Sequence, residues 1–145
     1  MRAVLLDTGV IVALLDRSER NHTVCAEAVE EAAAPLITCE AVIAESCYLL
    51  RKQSGAAEAI LENVRTGAFQ IPLQLSHAAG PLQRLFRKYR DREMDLADAC
   101  LVHLAGELQT GDILTLDSDF GIYRWGANKP FHLLLKNQAG VGWNE

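Results

Sequence analysis

Short apolar segments alternate with longer helical stretches along almost the whole chain, and this alternation limits the fold more than any other feature. The first segment, residues 2–6, is an essentially unbroken apolar run that ends at Asp7. Such runs are typical of parallel strands covered on both faces. Further strands are predicted at 35–38, 69–71, 113–115 and 131–135, and helices at 9–15, 21–34, 40–52, 54–67, 76–90, 95–107 and 119–124. The pattern predicts an α/β fold with a mainly parallel sheet.

The length and composition of the chain fit one domain. With 145 residues, half of them hydrophobic, the chain has a common single-domain size, and residues 1–145 are expected to form one unit. No apolar segment approaches the ~20 residues that a membrane span needs. An acid at position 7 also interrupts any signal-peptide apolar region. A cytoplasmic protein without membrane contact is therefore expected.

The cysteines and the charge narrow the possible functions. The four cysteines form no CxxC pair and are predicted to be reduced, buried thiols: Cys25, Cys39, Cys47 and Cys100. The formal net charge is −5, although nucleic-acid-binding proteins usually present a basic face. One local stretch is basic and contains Arg84, Arg87, Lys88, Arg90 and Arg92. It is either a solvated helix face or a surface that binds a polyanion.

Acidic residues stand at positions where chemistry is possible, although each has an ordinary structural explanation. Asp7 follows the first strand, where an acid can end a strand or cap a helix, and Thr8 is predicted to cap the helix that begins after it. Glu45 lies in an otherwise apolar helix, so its carboxylate points either to water or to a cation. Asp117 and Asp119 follow a strand and fit a turn equally well.

Asp95 and Asp98 occupy the start of a predicted helix. Asp95 is predicted to be the N-cap, and Asp98 at the third helical position is favoured by the positive helix end. The same helix end could instead present Asp98 to a metal-bound phosphate. If the acids converge at one sheet edge, their mutual repulsion requires raised pKa values or bound divalent cations. All-oxygen sites suit Mg²⁺ or Mn²⁺.

Four segments carry a resemblance to a known family. They are LLDTG at 5–9, EAVIAE at 40–45, MDLADA at 94–99 and LTLDSDF at 114–120. In this order and spacing they resemble the successive motifs of PIN-domain nucleases, above all the VapC-like toxins of prokaryotic toxin–antitoxin pairs. A haloacid-dehalogenase-like phosphatase is excluded, because Gly9 stands where that class has its second aspartate.

The resemblance implies a three-layer fold with a central, mainly parallel five-stranded sheet flanked by helices. It also implies a single nuclease domain, an RNA substrate, Mg²⁺ or Mn²⁺ as cofactor, a cognate antitoxin and a homodimer. By position, Asp7, Glu45 and Asp98 correspond to the metal-binding and catalytic carboxylates. Asp117 is the fourth catalytic carboxylate, although the spacing leaves open whether Asp117 or Asp119 faces the metal.

Substrate contacts are expected around these carboxylates. The expected residues are Thr8, Thr115, Arg84, Arg87, Lys88 and Arg92, the two threonines as supports of the acidic site and the four cations as RNA-backbone contacts. The alternative is a PIN-fold module that binds RNA or protein without turnover.

Overall fold

The computed structural model describes residues 3–135, with a parallel sheet, six α-helices and a small hairpin. Arg2, where the first strand was predicted to begin, lies outside this range. The strands are β1 (Val4–Leu6), β2 (Leu36–Ile37), β3 (Phe69–Gln70), β4 (Asp112–Leu114), β5 (Arg124–Trp125), β6 (Lys129–Pro130) and β7 (His132–Leu133). The helices are α1 (Thr8–Leu15), α2 (His22–Glu31), α3 (Glu40–Leu49), α4 (Ala56–Arg65), α5 (Leu75–Lys88) and α6 (Leu96–Leu108). Two 3₁₀ turns span Arg90–Arg92 and Ser118–Gly121.

The main sheet has five strands in the order β3-β2-β1-β4-β7, and every neighbouring pair is parallel. The strand β1 is central, with Leu5 paired to Ile37 on one side and to Ile113 on the other. All three β1 residues are buried, as expected for a strand covered on both faces. The predicted fold, a mainly parallel five-stranded sheet flanked by helices, is confirmed.

The ends of several elements differ from the sequence prediction. Asp7, not Thr8, is the N-cap of α1, because the Asp7 side chain accepts the N–H of Thr8. Helix α2 ends at Glu31 and does not reach residue 34, because Ala33 adopts a φ of +43° and Pro35 follows shortly. Asp95 is the N-cap of α6, as predicted.

The predicted helix at 119–124 is wrong in extent. A 3₁₀ turn covers only Ser118–Gly121, and the chain then enters the antiparallel pair β5–β6. The connection between these two strands includes Gly126 and Asn128, both with positive φ, which fits a tight reversal. The Trp125 indole N–H donates to the Pro130 carbonyl and holds the hairpin together.

The described residues include no helix that is both long and apolar enough to cross a membrane. The four cysteines are free thiols, and three of them are buried, while Cys47 is half-buried.

Candidate metal centre at the carboxyl edge of the sheet

Asp7 lies directly after β1 and is almost fully buried, with 7% of its surface exposed. Its Oδ1 accepts the Thr8 N–H at 2.8 Å, which starts α1. Its Oδ2 accepts the hydroxyl of Thr115 at 2.7 Å. Both carboxylate oxygens are therefore fixed at the carboxyl edge of the sheet, where ligands bind in open α/β folds.

Asp117 reaches the same edge from the neighbouring strand, β4. Its backbone N–H donates to the Thr115 hydroxyl at 2.9 Å, and its Oδ1 accepts the Asp119 N–H at 2.9 Å. Thr115 is fully buried, and its hydroxyl group bonds to both acid-bearing segments. One hydroxyl group thus links the carboxylate of Asp7 to the backbone of Asp117.

Asp98 comes from the first turn of α6. It forms a capping box with Asp95, in which the Asp98 N–H donates to Asp95 Oδ1 at 2.8 Å. The hydroxyl of buried Tyr123 donates to Asp98 Oδ2 at 3.1 Å. These contacts hold a carboxylate of which only 8% is exposed.

The three acids form one group. One carboxylate oxygen from each of Asp7, Asp98 and Asp117 lies within 4.8 Å of the others. Asp119 is outside this group and half-buried, so the structure brings Asp117, not Asp119, to the other acids. Asp95 caps the helix and lines the same cavity.

The electrostatics of the group disfavour three negative charges without a counter-ion. Burial raises the pKa of Asp7 from 3.8 to about 6, and the charge of Asp117 adds to the increase. Burial, followed by the charges of Asp95, Asp7 and Asp117, raises the pKa of Asp98 to about 8. Burial also raises the pKa of Asp117. A cation among these oxygens would offset the cost of burying the charged carboxylates and their mutual repulsion.

A cavity of about 270 Å³ opens over the acids. Glu45 lines it from α3, with an exposed side chain whose Oε1 accepts the Thr8 hydroxyl at 2.9 Å. Leu49 and Leu116 form the apolar part of the cavity lining. Glu45 thus joins the other acids at the rim of the cavity, outside the tight group of three.

Comparison with known proteins identifies the family. The model of the PIN domain family matches residues 4–125, most of the chain. The chain belongs to the PIN domain family. The predicted resemblance is confirmed, and the matched range of this PIN domain includes Asp7, Glu45, Asp98 and Asp117.

The chain is similar in sequence to one mycobacterial protein and in structure to another. The PIN domain is 31% identical over 116 residues to ribonuclease VapC26 of Mycobacterium tuberculosis, covering 79% of this chain and 86% of that protein. The crystal structure of VapC20 from the same organism, described as a sarcin-ricin loop cleaving toxin, aligns with a TM-score of 0.74 at 16% identity. That alignment covers 82% of this chain and 93% of VapC20, and it supports the fold.

The predicted RNA-contacting cations do not reach the acidic cavity. Arg84 and Lys88 instead line a second cavity, beside α5. Arg87 and Arg92 are exposed and line neither cavity, so their part in RNA binding stays a prediction.

Sequence reasoning missed two residues at these sites: Tyr123, which donates to Asp98, and Arg124, which lines the second cavity. Both residues fall in the segment predicted as a helix at 119–124. That prediction gave no sign of the contact between Tyr123 and Asp98.

Proposed function

We propose that this PIN domain is a metal-dependent endoribonuclease that hydrolyses RNA phosphodiester bonds, and that it is the toxin of a toxin–antitoxin pair. The observation that carries the proposal is the convergence of Asp7, Asp98 and Asp117 from three separate segments, with carboxylate oxygens within 4.8 Å of one another. The similarity to ribonuclease VapC26 supports the choice of RNA as substrate.

The donor set fits a hard divalent cation. All three groups are carboxylates, and oxygen ligands suit Mg²⁺ and Mn²⁺, whereas soft metals favour sulfur and nitrogen. We assign Asp7, Asp98 and Asp117 as the residues that would hold the ion, with Glu45 at the rim as a fourth carboxylate. When bound, such an ion would supply Lewis-acid stabilisation of phosphoryl oxygens and activation of water.

Neighbouring hydroxyl groups position the carboxylates for this task. Thr115 fixes Oδ2 of Asp7, Thr8 fixes Oε1 of Glu45, and Tyr123 fixes Oδ2 of Asp98. Outer contacts of this kind orient metal ligands and typically change metal affinity 10–100-fold. These hydrogen bonds support the proposal that Thr8 and Thr115 act by positioning the carboxylates.

The partners follow from the proposed activity. A toxin of this type needs a cognate antitoxin, and we propose that the antitoxin blocks access to the acidic cavity. A homodimer, a cytoplasmic location and a single domain over 1–145 stay predictions of the sequence.

The test is RNA cleavage by the purified protein with and without EDTA. We expect cleavage in the presence of Mg²⁺ or Mn²⁺. The activity should disappear with EDTA and return when metal is added in excess. Asp98→Asn should abolish cleavage, whereas Glu58→Gln, which removes one exposed negative charge on α4, should not. Binding of RNA without cleavage under every metal condition would favour the alternative of a PIN-fold module without turnover.

A further inference from the structure

A second cavity of about 280 Å³ lies between α5, α6 and the β5–β6 hairpin. Three cations line it: Arg84 and Lys88 from α5 and Arg124 from β5. His103 adds a fourth nitrogen-bearing side chain, and Glu107 is the acidic residue of the lining. We call this cavity the basic groove. Its charge stands out in a chain whose formal net charge is −5.

Arg124 is held in place in this groove. Its Nη1 donates to the backbone carbonyls of Gly121, Ile122 and Tyr123 at 3.0–3.1 Å. Among the described residues, these bonds engage Nη1 alone, and the donors of Nε and Nη2 remain for a ligand. The planar guanidinium fork matches two oxygens of a phosphate, and a fork already fixed in position loses little entropy on binding.

The basic groove and the metal centre are linked by two adjacent residues, Tyr123 and Arg124. Tyr123 donates to Asp98 in the metal centre, and the next residue, Arg124, lines the groove. One short segment of chain therefore contacts Asp98 through Tyr123 and lines the groove through Arg124. Helix α6 is also common to both, because Asp98 lies in its first turn and Val102 lines the groove one turn later.

We infer that the basic groove binds a backbone phosphate of the RNA strand, next to the nucleotide held at the metal centre. This inference rests on the proposed ribonuclease function. An acidic protein segment is the competing ligand. RNA is favoured for two reasons. Helix α6 carries both Asp98 of the metal centre and Val102 of the groove, and Lys and Arg together suit phosphate. Such contacts position a strand without reading its sequence.

Binding of a short, single-stranded oligoribonucleotide, measured by fluorescence anisotropy in EDTA over a series of salt concentrations, tests the inference without turnover. The double variant Arg84→Gln/Lys88→Gln should bind about tenfold more weakly or worse at low salt. The slope of log K against log salt should become shallower by about 0.7, since the groove is inferred to hold one phosphate and each single-strand phosphate contact contributes about 0.7.

The matched control is Arg17→Gln/Arg65→Gln, which makes the same change in net charge at exposed positions outside the groove. Its salt slope should equal that of the unmodified protein. Equal losses in both double variants would overturn the inference, because net charge alone would then explain binding. An unchanged salt slope in the groove variant would also overturn the inference. So would a groove variant that binds RNA normally but no longer binds a polyglutamate peptide.

Cleavage assays keep the two proposals apart. If the metal-dependent ribonuclease activity is present and the groove variant retains full kcat/KM on RNA, the groove assignment fails and the proposed function stands. The other outcome is an unmodified protein that cleaves no RNA with any metal, together with a groove variant that still binds the oligoribonucleotide more weakly and with a shallower salt slope. In that case the proposed function fails and the groove remains an RNA-binding site.

Discussion

The hydroxyl of Thr115 donates to Oδ2 of Asp7 at 2.7 Å, although 108 positions separate the two residues in the chain. The same hydroxyl accepts the backbone N–H of Asp117 at 2.9 Å. The parallel pairing of β1 with β4 brings these residues together, because it sets Leu6 beside Leu114, directly before Asp7 and Thr115. The spacing of the two carboxylates is therefore a consequence of sheet register.

Replacing Thr115 by Val should weaken metal binding. The substitution keeps the side-chain shape and removes the hydrogen bond that lowers the pKa of Asp7. The pKa of Asp7 should therefore rise above about 6, and affinity for Mn²⁺ should fall about 10–100-fold. Isothermal titration with Mn²⁺ at neutral pH measures the change.

The control is Thr110→Val. Thr110 is equally buried, donates to the Ala3 carbonyl at 2.8 Å and accepts the Asp112 N–H at 3.3 Å, at the start of β4. Both variants should lose stability, by about 1–3 kcal/mol for the unsatisfied group. Equal Mn²⁺ affinities in the two variants would mean that the Thr115 contact is structural only.

The metal-free protein should lose stability as the pH rises through the pKa values of Asp7 and Asp98. Both carboxyl groups bind protons more tightly in the folded state than in the unfolded state. In the folded state the pKa is about 6 for Asp7 and about 8 for Asp98, compared with the ordinary value of 3.8. Their contribution to the free energy of unfolding is therefore complete below about pH 4 and declines between about pH 4 and pH 8.

Mg²⁺ should reverse this trend, because it binds the ionised carboxylates. Melting temperatures across this pH range, with EDTA or with excess Mg²⁺, give the measurement. The increase in Tm caused by Mg²⁺ should be larger at pH 8 than at pH 5.5. An increase that does not depend on pH would contradict proton release from these acids. In Asp98→Asn, the decline between pH 6 and pH 8 should be smaller.

The sequence predicted the elements of the sheet and the acids of the centre because both depend on local patterns. Unbroken apolar runs marked the strands. Asp7 directly follows β1, and Asp117 lies three residues beyond the end of β4. Parallel strands end at one edge, so their convergence follows from topology. Spacing alone did not distinguish Asp117 from Asp119, because both lie in one turn. The Asp117 side chain settles their geometry by capping the Asp119 N–H.

The β5–β6 hairpin and the residues it presents could not be predicted in this way. Each strand has two residues, too few to show the alternation that marks a half-buried strand. The capping role given to Thr8 failed for a different reason. Either Asp7 or Thr8 can cap by residue type, and the tertiary contact between Thr8 and Glu45 decides against Thr8.

Tyr123→Phe should reduce metal affinity with little loss of packing. The Tyr123 ring packs edge-on against Tyr89 and Phe120, and phenylalanine preserves these contacts. The lost hydroxyl frees Asp98 Oδ2 from its 3.1 Å hydrogen bond, and Mn²⁺ affinity should fall about tenfold. The matched control is Tyr89→Phe, which loses a bond from the Arg124 N–H and no contact with Asp98. A Tyr123 variant that binds Mn²⁺ as tightly as the Tyr89 variant would show that the hydroxyl does not position Asp98.

Asp117→Asn and Asp119→Asn should have unequal effects on RNA cleavage, although the two acids are two residues apart. An amide oxygen at 117 can still accept the Asp119 N–H, so the 3₁₀ turn should persist and the fold should be retained. The variant nevertheless removes one of three carboxylates within 4.8 Å of one another, and cleavage should fall by more than the roughly 100-fold typical of an outer contact. Asp119 lies outside that group, so its replacement should change cleavage by much less.

Rates of RNA cleavage measured at saturating Mg²⁺, with circular dichroism to check the fold, test this difference. A greater loss in Asp119→Asn would exchange the two assignments, and equal activity in both variants would leave Asp7 and Asp98 as the essential pair.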